Sequence, residues 1–126
     1  MAYLDFYDLE VYKKCRNFRK ECSSIIKKHF PKDEKYLLTS QFKDASRSIT
    51  ANIAEGHGRG YYQDNLRFCR ISRGSLKECL DHLITAFDDE YITREKLKEM
   101  KKDYSSCLKL LNSYMKMIKE RKRGEY

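Results

Sequence analysis

Four stretches of the chain repeat apolar residues at intervals of three and four, and this spacing constrains the fold more than any other feature. The stretches run from about Leu9 to His29, from Thr39 to Gly60, from Tyr61 to about Asp88, and from Thr93 onward. An apolar stripe with this period occupies one face of an α-helix. The sequence therefore predicts four amphipathic helices, and it shows no alternating strand pattern.

Short, well-marked connections separate the four stretches. Asp5 or Asp8 is expected to cap the first helix and Pro31 to end it, while Thr39 and Thr93 are expected to cap the second and the fourth. Short connections place successive helices antiparallel. We therefore predict an all-α protein, an up-down-up-down antiparallel four-helix bundle that forms a single domain over residues 1–126, with residues 119–126 as a charged tail.

The charge of the chain points to a polyanionic partner. Its 126 residues carry a net charge of +8, and 37% of them are charged. A basic excess of this kind favours RNA or DNA as the partner. The alternative is a lysine-rich surface that serves solubility, on a structural scaffold for protein–protein contacts that does not bind nucleic acid.

Cysteine usage and the lack of long apolar runs indicate the compartment. The five cysteines are an odd number without a C-x-x-C pair, and the N-terminus carries no secretory apolar run. No stretch is long and apolar enough to span a bilayer. We expect free thiols in a reducing cytoplasm and no contact with a membrane.

A polar seam is expected where the second helix meets the third. Asn52 and Glu55 lie on the second helix, and Ser72, Arg73 and Gly74 lie on the third. With the turn between the helices near residue 58, residues equally distant from it lie near each other, so Gly74 is expected to face Ala45 in a close helix approach. Asn52 and Glu55 point into the same region, where they could bond Arg73, Ser72 or backbone groups. Buried polar groups cost free energy unless each has a partner. The set is therefore either a structural pairing of two helices or a contact for a ligand or nucleic acid.

Basic residues form two candidate anion-binding surfaces. Arginines spaced by three on the third helix, with basic neighbours on the second, present guanidinium groups that bind phosphate bidentately, and a nearby tyrosine can stack on unpaired bases. The basic C-terminal cluster is the second surface. The alternative interpretation of both is a solvated helix face. The candidate nucleic-acid-binding residues are Lys43, Arg47, Arg59, Tyr61, Arg67, Arg70, Lys119, Arg121, Lys122 and Arg123.

Catalytic and metal-binding patterns are missing from the sequence. The three histidines lack metal-ligand spacing, and the Glu-x-x-His pairs of di-metal bundles do not occur. The sequence also has no Walker loop and no nucleophile elbow. We predict no catalytic residue, no metal and no cofactor, and therefore a protein that is not an enzyme.

The sequence also predicts self-association. It contains more apolar surface than one bundle of this size covers, and exposed apolar patches usually mark association sites. The residues expected to contribute are Tyr3, Leu4, Phe6, Tyr7, Tyr12 and Tyr114.

Two motifs carry a resemblance to a known family: Asn-Ile-Ala-Glu-Gly at residues 52–56 and Arg-Gly-Ser at residues 73–75. The chain resembles the bacterial four-helix-bundle proteins encoded in intervening sequences of large-subunit ribosomal RNA genes. These are related to the accessory variability proteins of diversity-generating retroelements, which bind the element's reverse transcriptase and RNA. The resemblance implies a ring-like homopentamer, and no catalytic residue carries over from it.

Taken with the charge, the resemblance leads to one functional prediction. We predict a non-enzymatic, basic, oligomeric bundle that binds nucleic acid or a nucleoprotein. The protein is expected either to act as an accessory to a retroelement reverse transcriptase or to be an intervening-sequence protein that works near ribosomal RNA.

Overall fold

The computed structural model describes residues 5–121, and within them the chain forms four long helices. These are α1 (Glu10–His29), α2 (Leu38–Arg59), α3 (Tyr62–Asp88) and α4 (Arg94–Glu120). Two short 3₁₀ helices, Phe6–Asp8 and Lys32–Glu34, precede α1 and α2. The described residues contain no strand, so the predicted all-α, four-helix architecture is confirmed.

Each helix packs against two neighbours, which makes a four-helix bundle. α1 contacts α2 and α4, and α3 contacts the same two helices. Neighbouring helices run in opposite directions. Between α3 and α4, for example, Asn65 donates to Tyr114, whereas Lys77, farther along α3, lies over the ring of Tyr104, earlier in α4. α2 and α4 therefore end at the same end of the bundle.

The core between the helices is apolar and includes every cysteine. Phe18 and Phe42 are fully buried in it, and all five cysteines are buried free thiols. Burial raises the pKa of the Cys69 thiol to about 12 and raises the pKa of Cys22 as well. A thiol that stays protonated at neutral pH is a poor nucleophile. The cysteines therefore act as small core side chains.

The helix ends agree with one predicted cap and differ from two others. Thr93 Oγ1 accepts a hydrogen bond from the backbone N–H of Lys96 at 3.1 Å, so the predicted cap of α4 is confirmed. Asp5 caps the short helix Phe6–Asp8 instead of α1, because the chain adds this extra turn first. Thr39 is not a cap, since α2 begins one residue earlier and Thr39 lies within its first turn.

One residue predicted to mediate association lies in the core instead. Tyr114 falls on the inward stripe of α4 and is only 8% exposed, and its hydroxyl accepts a hydrogen bond from Asn65 Nδ2 at 3.2 Å. Phe6 and Tyr12 are half-buried and pack edge to face, with ring centroids 5.0 Å apart. Tyr7 remains exposed. The other two predicted residues, Tyr3 and Leu4, lie outside the described residues.

Candidate nucleic-acid interface

Hydroxyl and amide groups bond α2 to α3 along their interface. Ser72 Oγ donates to the carbonyl oxygen of Ile49 at 2.7 Å, and Ser75 Oγ donates to Ser48 Oγ at 2.8 Å. Asn52 turns back on its own helix, where its Nδ2 donates to the carbonyl and to the hydroxyl of Ser48 at 2.8 Å each. Of the predicted seam, Ser72 therefore bonds the two helices directly. Asn52 contributes indirectly, because it holds Ser48, which accepts the hydrogen bond from Ser75.

Glu55, Arg73 and Gly74 do not take part in the predicted seam. Glu55 is exposed and pairs with Arg59 of its own helix at 2.9 Å. Arg73 reaches α4, where it donates to Asn112 Oδ1 at 3.0 Å. Gly74 is exposed, and a Cβ there would meet no atom within 4 Å. The expectation that Glu55 bonds Arg73 or Ser72 across the interface is therefore wrong, and so is the expected close approach at Gly74.

The register of α2 against α3 explains these differences. α2 continues to Arg59 and a two-residue connection follows, so the chain reverses near residue 60 instead of near residue 58. The partners on α3 consequently shift by about one helical turn. The close approach falls at Gly56, where a Cβ would lie 2.7 Å from Asn65 Oδ1 and 3.0 Å from Phe68 Cβ.

An aromatic and basic cluster lies at the end of the bundle where α2 leads into α3. The guanidinium carbons of Arg59 and Arg67 lie 5.1 Å and 4.5 Å from the centroid of the Phe68 ring. Tyr61 is half exposed, and its ring centroid lies 5.3 Å from that of Tyr62. Both arginines also pair with carboxylates of their own helices. This cluster therefore offers flat faces for stacking more than it offers unpaired positive charge.

The remaining basic residues of the prediction lie on exposed helix surfaces. Arg70 is exposed on α3, one turn beyond Arg67. Lys119 and Arg121 are exposed at the C-terminal end of α4, which is the same end of the bundle as Arg59. Two others, Lys122 and Arg123, lie outside the described residues.

Lys43 and Arg47 lie apart from these arginines, in a groove between α1 and α2. This groove, here called the basic groove, has a volume of about 400 Å³. It is lined by Arg19, Lys20, Ser23, Lys43, Ser46 and Arg47. The predicted set is thus divided between two surfaces, because the side of α2 that carries Lys43 and Arg47 borders α1 and not α3. Sequence reasoning missed the two cations that α1 contributes.

The basic groove is lined by cations and serines, with no carboxylate among the described residues that line it. Arg19 Nη1 donates to Thr50 Oγ1 at 2.7 Å, and Thr50 is buried, so the guanidinium is anchored at the groove. A second cavity, of about 310 Å³, continues along α1 and is lined by Lys20, Ser23, Ser24, Lys27 and Lys28. Within the part of the chain that the structure describes, no acidic side chain lines either cavity. The arrangement suits a phosphate group better than a neutral ligand.

Other possible sites carry a mixture of charges or no suitable groups. A cavity of about 730 Å³ between α1 and the α3–α4 connection is lined by carboxylates such as Glu21 and Glu90 together with ammonium groups such as Lys28 and Lys96. Residues 5–121 contain no cluster of three or more His, Cys, Asp or Glu side chains that could hold a metal ion. Over the same residues, none of the helices is long and apolar enough to cross a membrane.

Known proteins share both this fold and this sequence pattern. A protein of unknown function from the S23 ribosomal protein family of Bacteroides thetaiotaomicron VPI-5482 has a similar crystal structure, with a TM-score of 0.76 and 25% sequence identity. The alignment covers 84% of this chain and 98% of that one. Comparison with curated proteins finds no match. The family model described as 23S rRNA-intervening sequence protein matches residues 7–113. Because this match spans most of the chain, the protein belongs to the 23S rRNA-intervening sequence protein family.

Proposed function

We propose that this protein is a non-enzymatic, cytoplasmic, oligomeric bundle that binds nucleic acid through its phosphates. The observation that carries the proposal is the positive lining of the basic groove, where four cationic side chains converge and no acidic side chain of the described residues joins them. Arginine binds phosphate bidentately and lysine binds it as a point charge. The net charge of +8 adds long-range attraction for a polyanion.

The family supports RNA as the partner and two possible settings. Membership of the 23S rRNA-intervening sequence proteins supports a setting near ribosomal RNA. The resemblance to the accessory proteins of diversity-generating retroelements supports a reverse transcriptase as a protein partner. The neighbourhood of the gene distinguishes these settings, because a retroelement carries a reverse transcriptase gene with template and variable repeats, whereas an intervening sequence lies inside a ribosomal RNA gene.

Salt dependence of binding tests the proposal. We expect a labelled RNA oligonucleotide to bind with an affinity that falls steeply between about 50 and 200 mM salt, with a log–log slope of about −0.7 to −0.9 for each phosphate contacted. Polyglutamate at equal charge serves as the competitor that separates recognition of a nucleic-acid backbone from general attraction of anions, since guanidinium groups bind carboxylates as well as phosphates; we expect it to compete less well than unlabelled RNA. Fluorescence anisotropy measures both quantities.

Matched variants separate specific contacts from bulk charge. Replacing Lys20, Lys43 and Arg47 by Gln removes three charges from the basic groove and should weaken binding and flatten the salt slope. Replacing Lys98, Lys101 and Lys102 by Gln removes three charges from an exposed face of α4 and should change binding less. If no RNA or DNA binds even at low salt, the scaffold interpretation replaces this proposal.

A further inference from the structure

We infer that the basic groove binds one phosphodiester strand of a nucleic-acid double helix and selects paired over unpaired strands. This inference rests on the proposed function and deepens it, because it names the form of nucleic acid and the surface that reads it. It depends on the two walls of the groove, on its continuation along α1, and on which side chains line it.

The two walls of the groove carry cations on opposite sides of one channel. Arg19 and Lys20 belong to α1, and Lys43 and Arg47 belong to α2. A single backbone strand that lies between the helices therefore meets positive charge from both sides. Because Thr50 holds the guanidinium of Arg19 through a 2.7 Å hydrogen bond, this arginine loses little side-chain freedom when it binds a phosphate.

The positive charge continues far enough along α1 to contact several phosphates. The cations of the two adjoining cavities extend from Arg19 to Lys28. At a rise of about 1.5 Å per residue this segment is about 13 Å long. Phosphates of one duplex strand are roughly 3.4 Å apart along the helix axis and farther apart along the backbone itself, so a segment of this length that follows the strand passes about two or three phosphates. The track therefore fits a continuous backbone and not a single isolated anion.

The chemistry of the lining favours a paired strand. Apart from cations, the two cavities are lined by Ser23, Ser24 and Ser46, and no aromatic ring of the described residues lines them. Ser46 is buried and donates its hydroxyl to the carbonyl oxygen of Lys43, so the hydroxyls that remain for a ligand are those of Ser23 and Ser24. Proteins that bind unpaired strands provide aromatic rings on which the bases stack. A duplex keeps its bases inside and presents phosphates and, in RNA, 2′-hydroxyls. The groove thus offers partners for the outside of a duplex and no ring on which exposed bases could stack, whereas the rings around Phe68 lie on the other surface.

Binding of two RNA probes to matched variants tests the inference. The probes are a fully paired RNA hairpin and an oligouridine with the same number of nucleotides. The groove variant is Lys43→Gln with Arg47→Gln. The control variant is Lys98→Gln with Lys101→Gln, which also removes two exposed charges. Circular dichroism first establishes that both variants keep the helical content of the original protein.

We expect the original protein to bind the hairpin at least about tenfold more tightly than oligouridine. The groove variant should lose this preference, and its salt slope for the hairpin should fall by about two, since two phosphate contacts are removed. The control variant should keep the preference. As a second readout, the hairpin should protect Lys20 and Lys43 from chemical acetylation in the original protein while Lys98 remains reactive.

Each contrary result has a distinct meaning. Equal affinity for the two probes, or tighter binding of oligouridine, overturns the inference while the proposed function stands. A hairpin preference that the groove variant retains also overturns it, because another surface then reads the duplex. Failure of both probes to bind at low salt, together with failure of a DNA hairpin of the same length, overturns the inference and the proposed function together.

Discussion

Gly56 and Gly74 lie inside neighbouring helices and have opposite surroundings. At Gly56 an added Cβ would lie 2.7 Å from Asn65 Oδ1 and 3.1 Å from the carbonyl oxygen of Asn65. At Gly74 an added Cβ would meet no atom within 4 Å. Glycine within a helix costs about 1 kcal/mol relative to alanine. The packing of α2 on α3 therefore explains Gly56, and nothing in the described structure explains Gly74.

The two glycines make a matched pair of substitutions. Gly74→Ala should raise the free energy of unfolding by about 0.5–1 kcal/mol, because the methyl group occupies open space and the unfolded chain loses freedom. Gly56→Ala should lower it by about 1–3 kcal/mol, because Asn65 is buried and its backbone cannot move aside without disturbing α3. Urea unfolding monitored by circular dichroism measures both. Equal stabilisation by the two substitutions would show that the helices separate easily at Gly56.

The residues of the α2–α3 interface could be predicted from the sequence only in part. Ser72 shares the inward stripe of α3 with Cys69 and Leu76, so its burial follows from helical periodicity. Arg73 is its direct neighbour and lies about 100° around the helix, where its long side chain reaches Asn112 of α4 instead of α2. Periodicity gives the face of a helix, but it does not decide which of two adjacent polar residues meets which neighbouring helix.

A hydrogen bond joins the α1–α2 connection to the α3–α4 connection, which lie at the same end of the bundle. The hydroxyl of Tyr91, in the α3–α4 connection, donates to Glu34 Oε2 at 2.6 Å. Glu34 belongs to the 3₁₀ helix between α1 and α2. This hydrogen bond to the carboxylate raises the pKa of Tyr91 to about 12 from the usual 10.0. The bond thus couples the protonation of a tyrosine to the packing of both connections.

The raised pKa of Tyr91 predicts a specific dependence on pH. Between about pH 10 and 12 the folded protein holds a proton that the unfolded chain has lost, so the stabilising contribution is complete below pH 10 and falls as the pH rises toward 12. Glu34→Gln should return the pKa of Tyr91 toward 10. Titration of ¹³C-labelled tyrosine by NMR follows this residue. A pKa near 10 in the original protein would show that the hydrogen bond does not persist in solution.

The existence and type of each helix could be predicted from the sequence, but the register between helices could not. Apolar periodicity and a side-chain cap locate α4, which begins directly after Thr93. The connection between α1 and α2 spans residues 30–37 and contains a 3₁₀ helix, so the sequence alone does not fix how the two helices are rotated against each other. For this reason Arg19 could not be matched with Lys43 before the structure was known.

The bundle places the predicted basic residues on two surfaces of different character. The basic groove between α1 and α2 holds cations without carboxylates lining it. The cluster around Phe68 holds arginines that are already paired, together with aromatic rings. Because the two surfaces lie on different sides of the bundle, the proposed paired and unpaired regions of one long nucleic acid would occupy them without competing for the same space. Such bivalent contact raises affinity through effective concentration.

Exposed apolar side chains near the ends of the bundle favour self-association. Tyr36 and Leu37, in the α1–α2 connection, are 82% and 60% exposed, and Tyr7 is 58% exposed. Exposed apolar groups of this size favour association, and the family resemblance implies five copies. Light scattering coupled to size exclusion should therefore report a mass of several chains, with five expected, and a monomer at micromolar concentration would contradict this.

An assembly of five copies would present five basic grooves to one RNA. Dilution to a protein concentration at which the assembly dissociates should therefore weaken RNA binding, and the loss of affinity should exceed the loss expected from removing a single groove. Anisotropy across a protein dilution series tests that link, and an affinity independent of assembly would show that each bundle binds RNA alone.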